Sequence, residues 1–372
     1  MSEKDAPVRI GGLEAESPIV GGGMSIGLTG AELAGTVANE GGFGTIGGVG
    51  LGLSEGTRGH KQFLKASEAT LRQEIRDALE YSNDGNIGVN LMVATTDYEP
   101  SAKVAVEEGA KYIASGAGLP LYLPEYVEKY RKSGQKTPEL IPIVSSVKAA
   151  ELIIRKWGRS GVVPSAIVVE TPNTAGGHLG VTHVEDIGKD EYSLETVIPE
   201  LANYLKEREL DIPIIAAGGV WDRGDIKRML SPEIGARLVQ MATRFLATDE
   251  CGGSQAFKDR HMDNEDPIVV VKSPVGMPGR AYETDLILRE NAHEVIDLGP
   301  CVNCLRVCAK RDNPLASYCI MRALLNAHSG DADNGVMFTG TNGNRLNENR
   351  EVNRSAVKIM QELTGKELEE AA

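Results

Sequence analysis

The sequence is poor in phenylalanine, with 5 Phe against 43 Gly. That balance fits a fold with many tight strand-to-helix turns and close approach of backbone to a ligand. Basic residues are also short: 39 Lys and Arg against 53 Asp and Glu, a formal charge of −14. Nucleic acid and anionic membranes both demand clustered Lys and Arg, so neither is the expected partner. An anionic ligand must instead be held locally, by backbone amides and a few placed cations. No stretch approaches the roughly 18 to 20 uninterrupted apolar residues of a membrane helix. The polar opening MSEKDAPVRI lacks an apolar signal core, so the expected location is the cytoplasm. The segment PIIAAGGVWDRGD carries no G-x-G-x-x-G with a following acid, which argues against a dinucleotide fingerprint there. Beyond these absences the composition is ordinary for a globular chain, with 41% hydrophobic and 25% charged residues.

From residue 17 to about 250, short apolar runs alternate with longer amphipathic ones. The strand-like runs are SPIVGG, FGTIGG, IGVNLM, KYIAS, IPIVSS, AIVVE, PIIAAGG and RLVQMA. Each is short and nearly free of charge, as parallel strands buried on both faces are. Helix-like stretches such as GAELAGTVANE, SEATLRQEIRDALEYS, SVKAAELIIRKWG and SLETVIPELANYLKERE lie between them. Eight such units predict an α/β fold, a TIM (β/α)8 barrel, with an open doubly wound sheet as the alternative. The barrel is expected over residues 1–290, followed by a C-terminal cysteine-bearing extension over 291–372. Two segments, 47–62 and 171–192, are too long for simple turns and are expected as functional loops.

In PIIAAGGVWDRGD, Gly218 and Gly219 follow an apolar strand and precede a helix. About twenty residues later RLVQMATRFLAT ends a strand at Gln240, Met241, Ala242 and Thr243. In a barrel these are the seventh and eighth strand ends, where phosphate groups recurrently sit on backbone N–H groups. A Cβ at the glycines would hold a phosphate away from the amides; the plainer alternative is an ordinary turn. The run VVETPNTAGGHLG leaves the sixth strand and carries Gly176, Gly177, His178 and Gly180. A histidine between glycines at a barrel strand end can approach a ring ligand, and its imidazole can move a proton near neutral pH. His183, five residues on, reads as structural.

Together AGGHLG, AAGG, QMATRFLATDE and SPVGMPGR resemble the nitronate monooxygenase family. IPIVSSVKAAE is similar to a pattern of the flavin-type enoyl-acyl-carrier-protein reductases of the same superfamily. The resemblance spans Pro18 to Arg280, with the cysteine segment matching one branch. It implies FMN as cofactor and a small-molecule substrate. It places Gly22, Gly23 and Met24 beside the isoalloxazine ring and Asn90 as a hydrogen-bond partner. Gly176, Gly219 and Gln240 to Thr243 fall on the phosphate side, and His178 becomes the catalytic base or acid. The chain departs from the family pattern at Gly21 and Gly23 (usually Q-G-P-M), at Ala242 (usually Gly) and at Thr174 (often Glu).

Five cysteines are present; Cys251 stands alone and reads as an inert thiol, while Cys301, Cys304, Cys308 and Cys319 crowd together. Four thiolates suit an iron–sulfur cluster or zinc, and unmetallated thiols are the third reading. The spacing is similar to the cluster segment of dienoyl-CoA reductases and trimethylamine dehydrogenase, which hold [4Fe–4S]. With a cluster, the reductant could be a ferredoxin-like redox partner in place of NAD(P)H. The expected chemistry is oxidation of alkyl nitronates or a related carbanion on FMN. Reduction of an activated C=C bond by NAD(P)H, a non-catalytic electron-transfer module and a flavin-free sugar-phosphate barrel are the rivals.

Overall fold

The computed structural model describes residues 7–366, apart from 264, 314 and 316. Its centre is the expected barrel. The strands are β1 (Ile19–Gly21), β2 (Gly44–Gly47), β3 (Ile87–Met92), β4 (Tyr112–Gly116), β5 (Glu139–Val144), β6 (Ile167–Glu170), β7 (Ile214–Ala217) and β8 (Leu238–Met241). They pair in parallel in the order β1-β8-β7-β6-β5-β4-β3-β2. A parallel bridge between Val20 and Phe43 closes the seam. There the Gly21 N–H donates to the Phe43 carbonyl at 2.8 Å and the Phe43 N–H to the Ile19 carbonyl at 3.0 Å. Closure leaves no free edge, which excludes the open doubly wound sheet.

Side chains alternate along each strand between two apolar layers. Val20, Tyr112, Ala114, Ile141, Val168, Ile215 and Leu238 fill the barrel interior. Ile46, Val89, Ile113, Val169, Ile214 and Val239 face the helices. Tyr112 is the bulkiest interior residue; its hydroxyl lies 2.7 Å from Thr45 Oγ1 and donates to the Gly44 carbonyl at 2.9 Å. Its ring occupies the space a Cβ at Gly88 would need, so that strand position requires glycine. The amino end of the barrel is plugged by a hairpin, Val8–Ile10 paired with Leu13–Ala15, which contributes Ile10 and Ala15 to the interior.

The helices are α1 (Ala31–Asn39), α2 (His60–Tyr81), α3 (Tyr98–Glu107), α4 (Leu123–Lys132), α5 (Val147–Gly158), α6 (Leu194–Glu207) and α7 (Arg223–Met229). One differs from the sequence reading: α2 begins at His60, seven residues before the expected start. Phe63, Ser67, Leu71, Ile75 and Ala78 form one buried stripe, so the helical face extends back into the supposed loop. Among the described residues, no helix follows β8 directly into the ring. Instead the helix Ala356–Thr364 packs against both α1 and α7 and fills that place. A three-stranded sheet of Gly177–His178, Ile268–Lys272 and Pro278–Tyr282 stands at the carboxyl end of the barrel.

Candidate functional site

The carboxyl ends of the strands bring most of the sequence-predicted residues to one mouth. At β1, the Gly22 N–H donates to the Met241 carbonyl at 2.8 Å. Gly22 abuts Ala242, and Gly23 abuts Asn90 so closely that a Cβ on either would collide. Thr29 braces this loop: its hydroxyl donates to the Gly22 carbonyl at 2.9 Å and accepts the Met24 N–H at 3.0 Å. Asn90 is half-buried on β3, and its carboxamide has no protein hydrogen-bond partner among the described residues. It is free to bind a polar ring edge. Gln240 faces the mouth from β8, whereas Met241 turns its side chain into the helix layer and offers only its carbonyl.

After β7, Gly218 and Gly219 take φ of +100° and +73°, conformations that disfavour any other residue. The space beside them differs from the sequence reading. A Cβ at either glycine would strike Thr174 at 2.9 Å, so the glycines also make room for the β6 loop. The anion cradle is set by main-chain donors. Among the described residues, the N–H groups of Gly219, Val220, Thr243 and Arg244 find no protein acceptor. The last two open a 3-10 turn, Thr243–Phe245. Thr174 Oγ1 is buried beside them, also without a partner. Unpaired main-chain donors beside a buried, unpartnered hydroxyl make an anion site, and a phosphate ester satisfies several of them at once. The residues present therefore fit an anionic cofactor tail.

A segment that sequence reasoning missed closes this cradle. The Thr339 N–H donates to the Arg280 carbonyl at 3.2 Å and the Gly340 N–H to Thr243 Oγ1 at 3.0 Å. The Thr341 N–H reaches the Thr174 carbonyl at 3.4 Å, and Asn342 Nδ2 the Gly219 carbonyl at 3.1 Å. Gly176 packs directly on Thr339 and Gly340. The loops after β6, β7 and β8 are thus stitched together by one stretch of chain. The only hint in the sequence was the small, polar run TGTNG.

His178 faces the mouth from its short strand, where it pairs with Gly279. Its Nε2 lies 2.7 Å from Ser273 Oγ, and its ring packs edge-on against Phe338 at 5.2 Å. Burial pushes its imidazole down to about 4, so it is neutral at pH 7. Gly177, at φ +68°, sets the turn before it. Arg280, buried, donates to the carbonyls of Pro172, Asn173 and Ala175 and locks the loop that carries the histidine. His183 is exposed. A second titratable group was read only as a strand end. Glu170 shares the inner face of β6 with Val168, one strand from Ala217 and two from Gln240. Desolvation pushes its carboxyl up to about 7.

The four clustered cysteines line a single cavity with Leu53, Met321, Arg311 and Arg322. Among the described residues, however, no three His, Cys, Asp or Glu side chains are gathered tightly enough to ligate one metal ion. Cys251 lies apart, buried in the helix-side core, where desolvation raises its thiol to about 11. Among the described residues no helix is long and apolar enough to cross a membrane.

A closed (β/α)8 barrel, an anion cradle after β7 and β8 and a neutral histidine across the mouth define the class of flavin-dependent barrel oxidoreductases. The family profile for nitronate monooxygenase matches residues 8–364. A probable nitronate monooxygenase of Staphylococcus saprophyticus is 29% identical over 316 residues, covering 76% of this chain and 80% of that protein. Among solved structures, FabK from Thermotoga maritima superimposes with a TM-score of 0.66 at 23% identity, covering 94% and 92% of the two chains. Nitroalkane oxidase from Streptomyces ansochromogenes does so at 0.66 and 19%, covering 95% and 96%. The chain belongs to the nitronate monooxygenase family and is a flavin-dependent oxidoreductase.

Proposed function

We propose that this protein binds FMN and oxidises alkyl nitronates or a closely related carbanionic substrate. The observation that carries this reading is a neutral His178, hydrogen-bonded to Ser273 and held across the mouth from the Gly22–Met24 loop and Asn90. When bound, FMN supplies the redox centre that takes electrons from the substrate carbon and passes them to oxygen. The chain supplies the rest. Gly219, Val220, Thr243 and Thr174 would hold the phosphate, and Asn90 and the Gly22–Gly23 backbone would orient the ring. His178 would accept the α-proton of a neutral nitroalkane on Nδ1, the ring nitrogen that Ser273 does not engage, with Ser273 Oγ accepting from the Nε2–H of the imidazolium that forms.

A second reading rests on Glu170. A carboxyl near pKa 7 inside the mouth is partly protonated at neutral pH and can donate a proton. Donation of that kind is what saturation of an activated C=C bond requires, with NAD(P)H as the hydride source. Two assays on flavin-loaded protein separate the readings. Aerobic turnover of propyl-2-nitronate, without NADH-dependent reduction of a crotonyl thioester, supports the oxidase reading. The opposite pattern overturns it.

A further inference from the structure

One face of the three-stranded sheet at the mouth is built around His178. Residues directly opposite each other in an antiparallel ladder point the same way, so His178, Gly279 and Val271 share that face. The ring of Phe338 lies across it. It meets the imidazole edge-on, with ring centres 5.2 Å apart and planes at 68°. A Cβ on Gly279 would stand 3.1 Å from Phe338 Cε1, so the glycine leaves the slot that the ring fills. Val271 is buried in the apolar cluster that Phe338 packs against. Phe338 is itself held in place by its backbone. It bridges Ala281, and the next two residues, Thr339 and Gly340, are the first anchors of the stitch over the anion cradle.

Ser273 engages the imidazole from another side, with Oγ 2.7 Å from Nε2. The base therefore has one nitrogen tied, an aromatic wall beside the ring, and Nδ1 left for a substrate proton. Charge plays no part in this enclosure. Arg280 and Lys272 alternate onto the opposite face of the sheet, where Arg280 donates to the carbonyls of Pro172, Asn173 and Ala175 and Lys272 is exposed. His183 and Glu185 lie exposed further along the histidine's own loop, and Glu170 ends the strand that this loop leaves. The segment 336–342, which carries Phe338, holds no charged residue. Burial is the cause that holds the imidazole low, with no charged neighbour contributing, so its protonation depends on what keeps water off the ring.

Resting on the reading of His178 as the base, we propose that Phe338 is its positioning residue: the ring walls one side of the imidazole from water and, with Ser273, holds it in a single orientation that leaves Nδ1 for the substrate. Phe338 acts through the histidine, not on the substrate. Without the ring, water reaches the imidazole, the protonated form gains hydration, and the base is lost to protonation in mildly acidic solution. The residue that shields the base is fixed by the same stretch of chain that closes the cradle.

The test titrates full-length protein carrying 15N-labelled histidine by NMR from pH 5 to pH 8. His178→Ala identifies the resonance, and flavin content is matched between samples. Native His178 should stay neutral throughout, in keeping with its value of about 4. Phe338→Ala should raise its proton affinity by roughly ten- to a hundredfold, bringing the midpoint into this range and toward the ordinary imidazole value of about 6.5. Phe338→Leu restores an apolar cover and should keep the histidine neutral. Where Phe338→Ala does not fold, Phe338→Thr, β-branched at the strand bridge, carries the same expectation as the alanine variant. In Phe338→Ala, kcat/KM for a neutral nitroalkane should fall below about pH 6, whereas a preformed nitronate, which needs no base, should show no such limb. A histidine that stays neutral in the alanine or threonine variant overturns the proposal. So does a leucine variant that protonates as readily as the alanine one. The NMR midpoint needs no turnover, so a moved titration in a protein inactive on both substrates upholds the positioning role and removes the nitronate reading.

Discussion

His178 and Glu170 carry opposite shifts from the same cause, removal from water into the barrel mouth. Neutral His178 is available as a base across the physiological range, so the limb it contributes to kcat/KM is expected near pH 4, not near 6.5. His178→Ala is expected to lower kcat/KM for a neutral nitroalkane by roughly 10² to 10⁴. A preformed nitronate has already lost its proton and should suffer much less. Equal losses on both substrates would make the residue a binding group. For Glu170 the folded pKa lies above the unfolded one, so its contribution to stability is complete below about 4.5. That contribution is lost as pH rises through about 7. Thermal melts of flavin-free protein should therefore show Glu170→Gln gaining on the native chain between pH 5 and pH 8. A gap that stays flat over that interval would mean the carboxyl is solvated. At this scale the sequence was unevenly informative. His178 stands between glycines and invites attention, whereas Glu170 ends an apolar run, and its environment comes from strands distant in sequence.

The elements that were legible are those whose burial pattern is local. Eight short apolar runs are eight strands because each is covered on both faces, and α5 and α6 start at Ser146 and Ser193, whose hydroxyls accept the Ala149 and Thr196 N–H groups. The start of α2 was obscured because only Phe63 and Ser67 mark its buried face in a charged stretch. The sheet that holds His178 was not foreseen at all. It pairs residues about 100 apart, and its strand partner PGRAY opens with proline and glycine. Turn geometry gives two measurable consequences here. Gly218→Ala forces a Cβ into φ +100° and onto Thr174, an expected cost of about 1–3 kcal/mol in stability. It should be accompanied by weaker flavin retention, read by ultrafiltration. Thr243→Val leaves the Gly340 N–H without its acceptor and should cost ~1–3 kcal/mol. If the melting temperature of Thr243→Val is unchanged, the stitch does not hold in solution.

On the scale of the whole molecule, the barrel is completed by its latest segment. Arg244, just past β8, is buried. It donates to the Trp221 carbonyl at 2.9 Å, to Asn353 Oδ1 at 3.1 Å and to Glu362 Oε1 at 2.9 Å. The helix bearing Glu362 also covers α1 and α7. Removal of residues 356–372 would strip an apolar face from the barrel and take away the carboxylate that pairs with Arg244. Such a chain is expected to accumulate in the insoluble fraction. A soluble product with a native melt would show that the barrel stands without this helix. Nothing local in the sequence says that this helix belongs between the first and seventh helices of the ring.

The stitch through Thr339, Gly340, Thr341 and Asn342 also orders events in time. It joins segments that were synthesised about 60 to 170 residues earlier, and loop closure over such separations is slow. A chain still emerging from the ribosome can pair its strands, but its anion cradle stays open until residue 342 arrives. The cradle is therefore complete only once this late segment has folded onto the loops after β6, β7 and β8.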